Sequence, residues 1–99
     1  MPLFVMLGTD GPQGAALRTE HRPAHLANLE PKVAAGEVAF AGPMLAPDGK
    51  PLGSVVVFEA EDLAAARRFA ENDPYAREGI FERVQVFETR QVFPASSRE

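Results

Sequence analysis

His25 is the residue of this sequence best suited to acid-base chemistry. Arg22, His25 and Leu29 follow one another at helical spacings of three and four, which places His25 on the stripe that packs against the rest of the fold. An imidazole titrates near neutral pH and can accept and return a proton once a partner fixes its tautomer. A histidine in this position can also be a structural residue at the edge of the core that bonds to a backbone carbonyl. From position alone, the structural role is the favoured interpretation.

Asp73 is the carboxylate with the clearest local role. An aspartate followed by a proline, here Pro74, is a favoured helix start, and Gly79 is placed to end a one-turn helix at Tyr75 to Glu78. The sequence therefore predicts that Asp73 is an N-cap. Its two oxygens can divide the work, one accepting from backbone amides and the other from a histidine.

A metal site is the first alternative use of these side chains. His21 and His25 have the i, i+4 spacing of helical zinc ligands. Arg22 lies between them, Pro23 disturbs the turn that would align the rings, and the chain has no cysteine. We therefore expect no metal.

A serine hydrolase is the second alternative. Ser54 follows Gly53, which has no side chain and would let a ligand approach the backbone. Ser54, His25 and Asp73 are the right residue types for a Ser-His-Asp triad, but the chain has no Gly-x-Ser-x-Gly elbow and no evident oxyanion hole. The sequence argues against this chemistry.

Six elements must position these residues. Apolar runs and helical periodicity, separated by glycine and proline clusters, predict four strands and two helices. Pro23 inside the first helix predicts a kink or a late helix start near it. In the first helix, Leu26, Leu29 and Val33 form the predicted apolar stripe, and Gly36 suits a left-handed cap. The strands are expected at Leu3 to Leu7, Val38 to Gly42, Val55 to Phe58 and Val84 to Phe93, and the helices at Ala15 to Ala35 and Glu61 to Asn72.

The order β-α-β-β-α-β predicts an α+β protein with a ferredoxin-like fold, an antiparallel sheet with both helices on one face. The first and third strands are apolar at consecutive positions, a pattern typical of strands that are covered on both sides. A second copy of the same sheet is the simplest cover for the face without helices. The sequence therefore predicts a homodimer.

Length and charge limit the function classes. Ninety-nine residues suffice for a single domain, expected at residues 1–93, followed by a short polar tail at 94–99. A net charge of −4 disfavours partners that are nucleic acids or anionic membranes. The amino terminus lacks a basic region and breaks at Gly8, and the chain contains no cysteine, so a cytoplasmic location is expected.

Five short blocks follow one another along the chain, namely Arg22-Pro23-Ala24-His25-Leu26, Gly42-Pro43, Gly53-Ser54, Asp73-Pro74-Tyr75 and Gly79-Ile80-Phe81. Taken together and in this order, they resemble the YciI-like family (YCII-related domain) over roughly residues 3–90. The resemblance implies a dimeric α/β-barrel of two ferredoxin-like protomers, no cofactor, and a His–Asp active site at His25 and Asp73. Arg22, Ser54 and Tyr75 lie in the same blocks and are predicted to bind the substrate.

The characterised chemistry of the family implies a dehydrochlorinase type of reaction on a chlorinated hydroxyquinol. The leading hypothesis is a small enzyme in which His25, oriented by Asp73, moves a proton during elimination or isomerisation of a small aromatic or lactone-like substrate. The alternative is a non-catalytic dimeric module that binds a small molecule, with His25 and Asp73 as a structural pair. A monooxygenase is compatible with the same barrel, but no residue of this chain indicates one.

Overall fold

The computed structural model describes residues 1–95, and the four C-terminal residues of the predicted tail, 96–99, lie outside the described part. The strands are β1 (Leu3–Asp10), β2 (Val38–Leu45), β3 (Pro51–Glu59) and β4 (Phe81–Thr89). The helices are α1 (Gly14–Ala34), α2 (Leu63–Glu71) and the one-turn α3 (Pro74–Arg77).

The four strands form one antiparallel sheet in the order β2-β3-β1-β4. Helix α1 connects β1 to the edge strand β2, and α2 with α3 connects β3 to the other edge strand, β4. This topology is the ferredoxin-like βαββαβ fold, with α3 as an addition in the second crossover. The predicted fold class is confirmed.

The helices cover one face of the sheet. Alternate residues of the two central strands point toward them, because successive side chains in a strand face opposite sides. Leu29 of α1 and Ala66 and Ala70 of α2 pack against this row from above. The strand residues of the core include Phe4, Met6, Val56 and Phe58, each at most 1% exposed.

The other face of the sheet is apolar and bare in the protomer. Val5 of β1 lies opposite Val57 of β3 on one side and Phe87 of β4 on the other, and Phe40 of β2 continues this row. Phe40 is 58% exposed and Phe87 is 50% exposed. The consecutive apolar residues of the central strands therefore serve two faces, one of which the helices leave uncovered.

Helix α1 begins at Gly14, so of the two predicted effects of Pro23, a kink or a late helix start, the late start is wrong. Buried residues on both sides of Pro23, namely Gly14, His25 and Leu29, pack the helix against the fold, and this packing outweighs the hydrogen bond that each internal proline removes. Of the predicted apolar stripe only Leu29 is buried, whereas Leu26 and Val33 are 43% and 49% exposed.

No helix within residues 1–95 combines the length and apolar composition needed to cross a lipid bilayer.

Several elements have boundaries that differ from the prediction, and β1, β2 and β3 are each longer than expected. Helix α2 begins at Leu63, after Glu61, because the Asp62 carboxylate caps it by accepting from the Ala65 amide at 2.8 Å. Strand β4 runs from Phe81 to Thr89, earlier than expected at both ends. Gly36, with φ of 73°, ends α1 in the left-handed conformation, as predicted.

Strand β2 contains a bulge that the sequence pattern did not predict. Val38 lies opposite Phe58, and Phe40 lies opposite the adjacent Val57, so Ala39 is an extra residue in the ladder. Val38 therefore packs against the core while Phe40 points to the bare face. In the sequence, Val38 and Phe40 alternate with Ala39 and Ala41, which predicts Val38 and Phe40 on one side of the strand. The bulge makes that prediction wrong.

Candidate active site

A cavity of about 540 Å³ lies between the first half of α1 and strands β2 and β3, and the start of α3 closes it. Four of the five predicted site residues line it, namely Arg22, His25, Ser54 and Tyr75. Asp73 is 1% exposed and lies behind His25, outside the lining. The structure thus brings the five residues together, while their roles in binding or catalysis stay predictions.

His25 and Asp73 form a buried hydrogen-bonded pair. Nδ1 of His25 lies 2.8 Å from Oδ1 of Asp73 and 3.0 Å from Oδ2. An ionised carboxylate only accepts hydrogen bonds, so Nδ1 carries the proton and donates it. This tautomer leaves Nε2 as a proton acceptor, and nothing within residues 1–95 bonds to it. The orientation is the one that a general base requires.

Asp73 is also the N-cap of α3, as predicted. Its Oδ1 accepts from the Tyr75 amide at 2.8 Å, Pro74 occupies the first turn, and Gly79 has a φ of 78° after the helix. The expected division between the two oxygens is wrong, because Oδ1 serves both the amide and His25 while Oδ2 reaches His25 alone. The capped turn holds the carboxylate still and so fixes the imidazole.

Tyr75 supports the imidazole ring from one side. The two rings are parallel within 2°, with centroids 4.0 Å apart. The Tyr75 hydroxyl donates to the backbone carbonyl of Arg18 at 3.3 Å. Burial raises the pKa of this hydroxyl above its ordinary value, although the guanidinium groups of Arg18 and Arg22 act in the opposite direction. The hydroxyl therefore stays neutral at physiological pH and keeps its bond to α1.

A second polar network, built on Arg18, was missed by sequence reasoning. The guanidinium donates from Nε and Nη2 to the Asp10 carboxylate at 2.7 and 2.9 Å, and from Nη2 to Oγ of Ser54 at 3.0 Å. A Cβ on Gly14 would approach the same carboxylate to 2.6 Å, so a glycine is needed there. Asp10, Gly14 and Arg18 are spaced four residues apart. Residues at this spacing are neighbours within a helix, but Asp10 belongs to a strand, so the spacing did not predict their contact.

Gly53 and Ser54 have different neighbours from those predicted. A Cβ on Gly53 would overlap the backbone carbonyl oxygen of Gly8 and the methyl group of Met44. The glycine therefore serves close strand packing, and the predicted approach of a ligand there is wrong. Among the described residues, the Ser54 hydroxyl is bonded by Arg18 and not by His25, so the nucleophile-base contact of a Ser-His-Asp triad is not formed.

His21 was the second candidate metal ligand beside His25. Its Nε2 lies 3.6 Å from a carboxylate oxygen of Glu20, which is largely exposed. Across the part of the chain that the structure describes, no three His, Cys, Asp or Glu side chains converge in a metal-binding arrangement. That the protein works without a metal or other cofactor remains a prediction.

Comparison with known proteins places this geometry in context. The chain is 37% identical to Protein YciI of Escherichia coli O6:H1 over 97 residues, which covers 92% of this chain and 99% of that protein. It is 32% identical to 5-chloro-2-hydroxyhydroquinone dehydrochlorinase (TftG) from Burkholderia phenoliruptrix AC1100, solved in complex with 2,5-dihydroxybenzoquinone. That match has a TM-score of 0.78 and covers 89% of this chain and 93% of the other.

More distant structures share the fold alone. An antibiotic biosynthesis monooxygenase superimposes with a TM-score of 0.54 at 13% identity, covering 93% of this chain and 99% of the other. At that identity the likeness concerns the ferredoxin-like architecture and not the chemistry. The family model described as YCII-related domain matches residues 2–90. The chain belongs to the YCII-related domain family.

Proposed function

We propose that the protein is a small, cytoplasmic, cofactor-independent enzyme that uses His25 and Asp73 for proton transfer in the elimination or isomerisation of a small aromatic or lactone-like substrate. One observation carries the proposal. A buried carboxylate holds Nδ1 of His25 in the donor state and so leaves Nε2 as a base beside a cavity of about 540 Å³. A ring with a few oxygen substituents fits such a volume.

The proton transfer follows from this arrangement. In an elimination, the ring first shifts a hydroxyl proton to the chlorine-bearing carbon, which gives a keto tautomer in which that carbon is tetrahedral. Nε2 of His25 then takes the proton of another hydroxyl group, and the electron pair of the broken O–H bond forms a C=O bond while the ring double bond shifts toward the chlorine-bearing carbon. Chloride leaves with the electron pair of the C–Cl bond, so the net loss is HCl. Asp73 stabilises the imidazolium that forms, and the proton then passes to solvent. In an isomerisation the same imidazolium returns the proton to another atom of the substrate.

The similarity to the dehydrochlorinase supplies the substrate to test first. We expect the purified protein to release chloride from 5-chloro-2-hydroxyhydroquinone under anaerobic conditions, with a chelator present and no nucleotide or flavin added. Heat-denatured protein measures the spontaneous rate. If the compound binds but chloride appears no faster than in the denatured control, the protein is a binding module for this ligand class and not the proposed dehydrochlorinase.

A non-catalytic binding module has one observation in its favour. The bond from the Tyr75 amide to Asp73 shows that the carboxylate has a structural task apart from His25. An enzyme and a binding module would both bind a ligand in the cavity, so a binding measurement alone does not distinguish the two functions. The chloride measurement does.

We further propose that the protein is a homodimer joined through the bare face of the sheet. The row formed by Phe40, Val57, Val5 and Phe87 is apolar across all four strands, and burial of such a face is a common source of stability for a short chain. A self-complementary face of this kind pairs with its own copy through a two-fold axis.

Phe87→Glu tests the dimer. Because Phe87 is half exposed in the protomer, a glutamate there is tolerated by the fold but places like charges in the interface. We expect sedimentation at micromolar concentration to give a dimer for the natural sequence and a monomer for Phe87→Glu. Val33→Glu, at an equally exposed apolar residue of α1, should leave the dimer intact. A natural chain that sediments as a monomer contradicts the proposal.

A further inference from the structure

The cavity is positively lined in a protein of net negative charge. Arg18, Arg22 and Lys50 contribute to its wall, and no Asp or Glu of the described residues does so. The two nearest carboxylates, Asp10 and Asp73, lie behind the lining and are engaged by Arg18 and His25. The chain as a whole carries a formal charge of −4. The cavity therefore differs in sign from the average surface of the protein.

Arg18 is the least exposed member of this cationic lining. Its side chain is 12% exposed, whereas Arg22 and Lys50 are exposed residues at the mouth of the cavity. The fork to Asp10 fixes the plane of the guanidinium, and the Tyr75 ring lies 5.0 Å from its central carbon. Arg18 is therefore held in place before any ligand arrives, which reduces the entropy lost on binding.

Two donors of this network remain for a ligand. Nε and Nη2 of Arg18 are occupied by Asp10 and Ser54, and Nη1 with its two hydrogens has no partner within residues 1–95. Nη1 is not among the buried atoms that lack a partner, so it is accessible, and Arg18 is one of the residues that line the cavity. Because Arg18 donates to Oγ of Ser54, the hydroxyl hydrogen of Ser54 is free to donate in turn.

We propose that the cavity binds its substrate as a small planar oxyanion, a phenolate or an enolate, with Arg18 and Ser54 donating to the anionic oxygen. The inference rests on the proposed function, since it assigns the substrate class of the same site. It gives that function a physical advantage: the network of Arg18 holds the anionic oxygen of the bound substrate and stabilises its charge, while Nε2 of His25 removes a proton from a different atom of the same molecule. The rest of the wall is largely apolar, which suits a ring and not a fully hydrated phosphate.

The exposed cations have a lesser part. Arg22 and Lys50 attract anions toward the mouth, but water and salt screen them. Arg18 acts from a part-buried position, with a side chain only 12% exposed, where hydrogen bonds to charged groups are less weakened by water. We therefore expect the preference for an anion to depend on Arg18 far more than on Arg22.

A matched pair of probes tests the preference without any turnover. 4-Nitrophenol is largely a phenolate at mildly alkaline pH, and 4-nitroanisole is its neutral methyl ether. We expect calorimetry at one such pH to show that the natural protein binds the phenolate roughly 10- to 100-fold more tightly than the ether, the range for hydrogen bonds to a charged group. Equal affinities, or no binding of the phenolate, overturn the proposal.

Variants assign the preference to its residue. Arg18→Gln leaves Asp10 buried without a cation, so the test uses Arg18→Gln with Asp10→Asn, which keeps two hydrogen-bonding partners and removes both charges. We expect this double variant to lose the preference while retaining affinity for the ether, and Arg22→Gln to keep most of it. A melting temperature close to that of the natural protein verifies folding.

Two further outcomes count against the proposal. A preference that survives in the double variant but disappears in Arg22→Gln assigns anion binding to the mouth. Inorganic phosphate that displaces nitrophenolate at lower concentration than a second phenolate does assigns the cavity to phosphate. The binding result is independent of chloride release, so failure of this inference and failure of the proposed elimination are distinguishable.

Discussion

Replacing His25 with alanine should lower the rate of chloride release by about 10²- to 10⁴-fold, the contribution of a positioned general acid-base group. The imidazole lies between the buried Asp73 carboxylate and the cavity, with Nδ1 at 2.8 Å from Oδ1. Its loss removes the proton acceptor and leaves the cation-lined wall of the cavity unchanged. Initial rates at saturating substrate measure the effect, because the prediction concerns turnover and not affinity.

Added imidazole separates catalysis from structure in this variant. His25→Ala leaves a space next to Asp73 that opens into the cavity, so free imidazole can enter it and take up the same bond. We expect imidazole to restore part of the rate in His25→Ala and to restore much less when Asp73→Asn is added. A His25→Ala protein that keeps its rate within a factor of about three would show that His25 is not the base.

The parts of the site that could be predicted are governed by local geometry. Asp73, Pro74 and Gly79 satisfy the rules for starting and ending a one-turn helix, and these rules depend on residues close in sequence. His25 was placed on the inner side of α1 by helical spacing, and it is 8% exposed. That both residues meet across 48 positions was implied by the family resemblance and not by the spacing.

The parts that could not be predicted depend on packing between distant segments. Arg18 looks like one of many charged residues on a helix, and only the sheet brings Ser54 of β3 to its guanidinium. The bulge at Ala39 depends on how β2 pairs with β3, and the order of apolar and small residues in β2 alone does not determine that register. Gly53 resembles a binding-site glycine until the carbonyl of Gly8 on the neighbouring strand is seen to occupy its side-chain space.

Asp73→Asn should abolish most of the turnover while leaving the fold intact. Asparagine caps a helix about as well as aspartate, so the bond from the Tyr75 amide persists. The amide nitrogen, however, donates to Nδ1 of His25, which then keeps its proton on Nε2. His25 loses both its basic nitrogen at the cavity and the charge that stabilises the imidazolium. We expect a loss of at least about 10²-fold in rate with a change of only a few degrees in melting temperature.

Asp73→Ala is the matched comparison, because it removes the cap together with the charge. Loss of an N-cap costs about 1 kcal/mol, which lowers the melting temperature of a domain of this size by roughly 4 to 8 °C. A catalytic role and a capping role of Asp73 predict different relations between activity and stability in the two variants. If the carboxylate serves His25, both variants are equally inactive although only Asp73→Ala is destabilised. If its task is capping alone, Asp73→Asn retains the rate of the natural protein, and activity falls only in Asp73→Ala as the folded fraction falls. Thermal unfolding followed by the fluorescence of Tyr75, the one tyrosine in a chain without tryptophan, measures stability at the site itself.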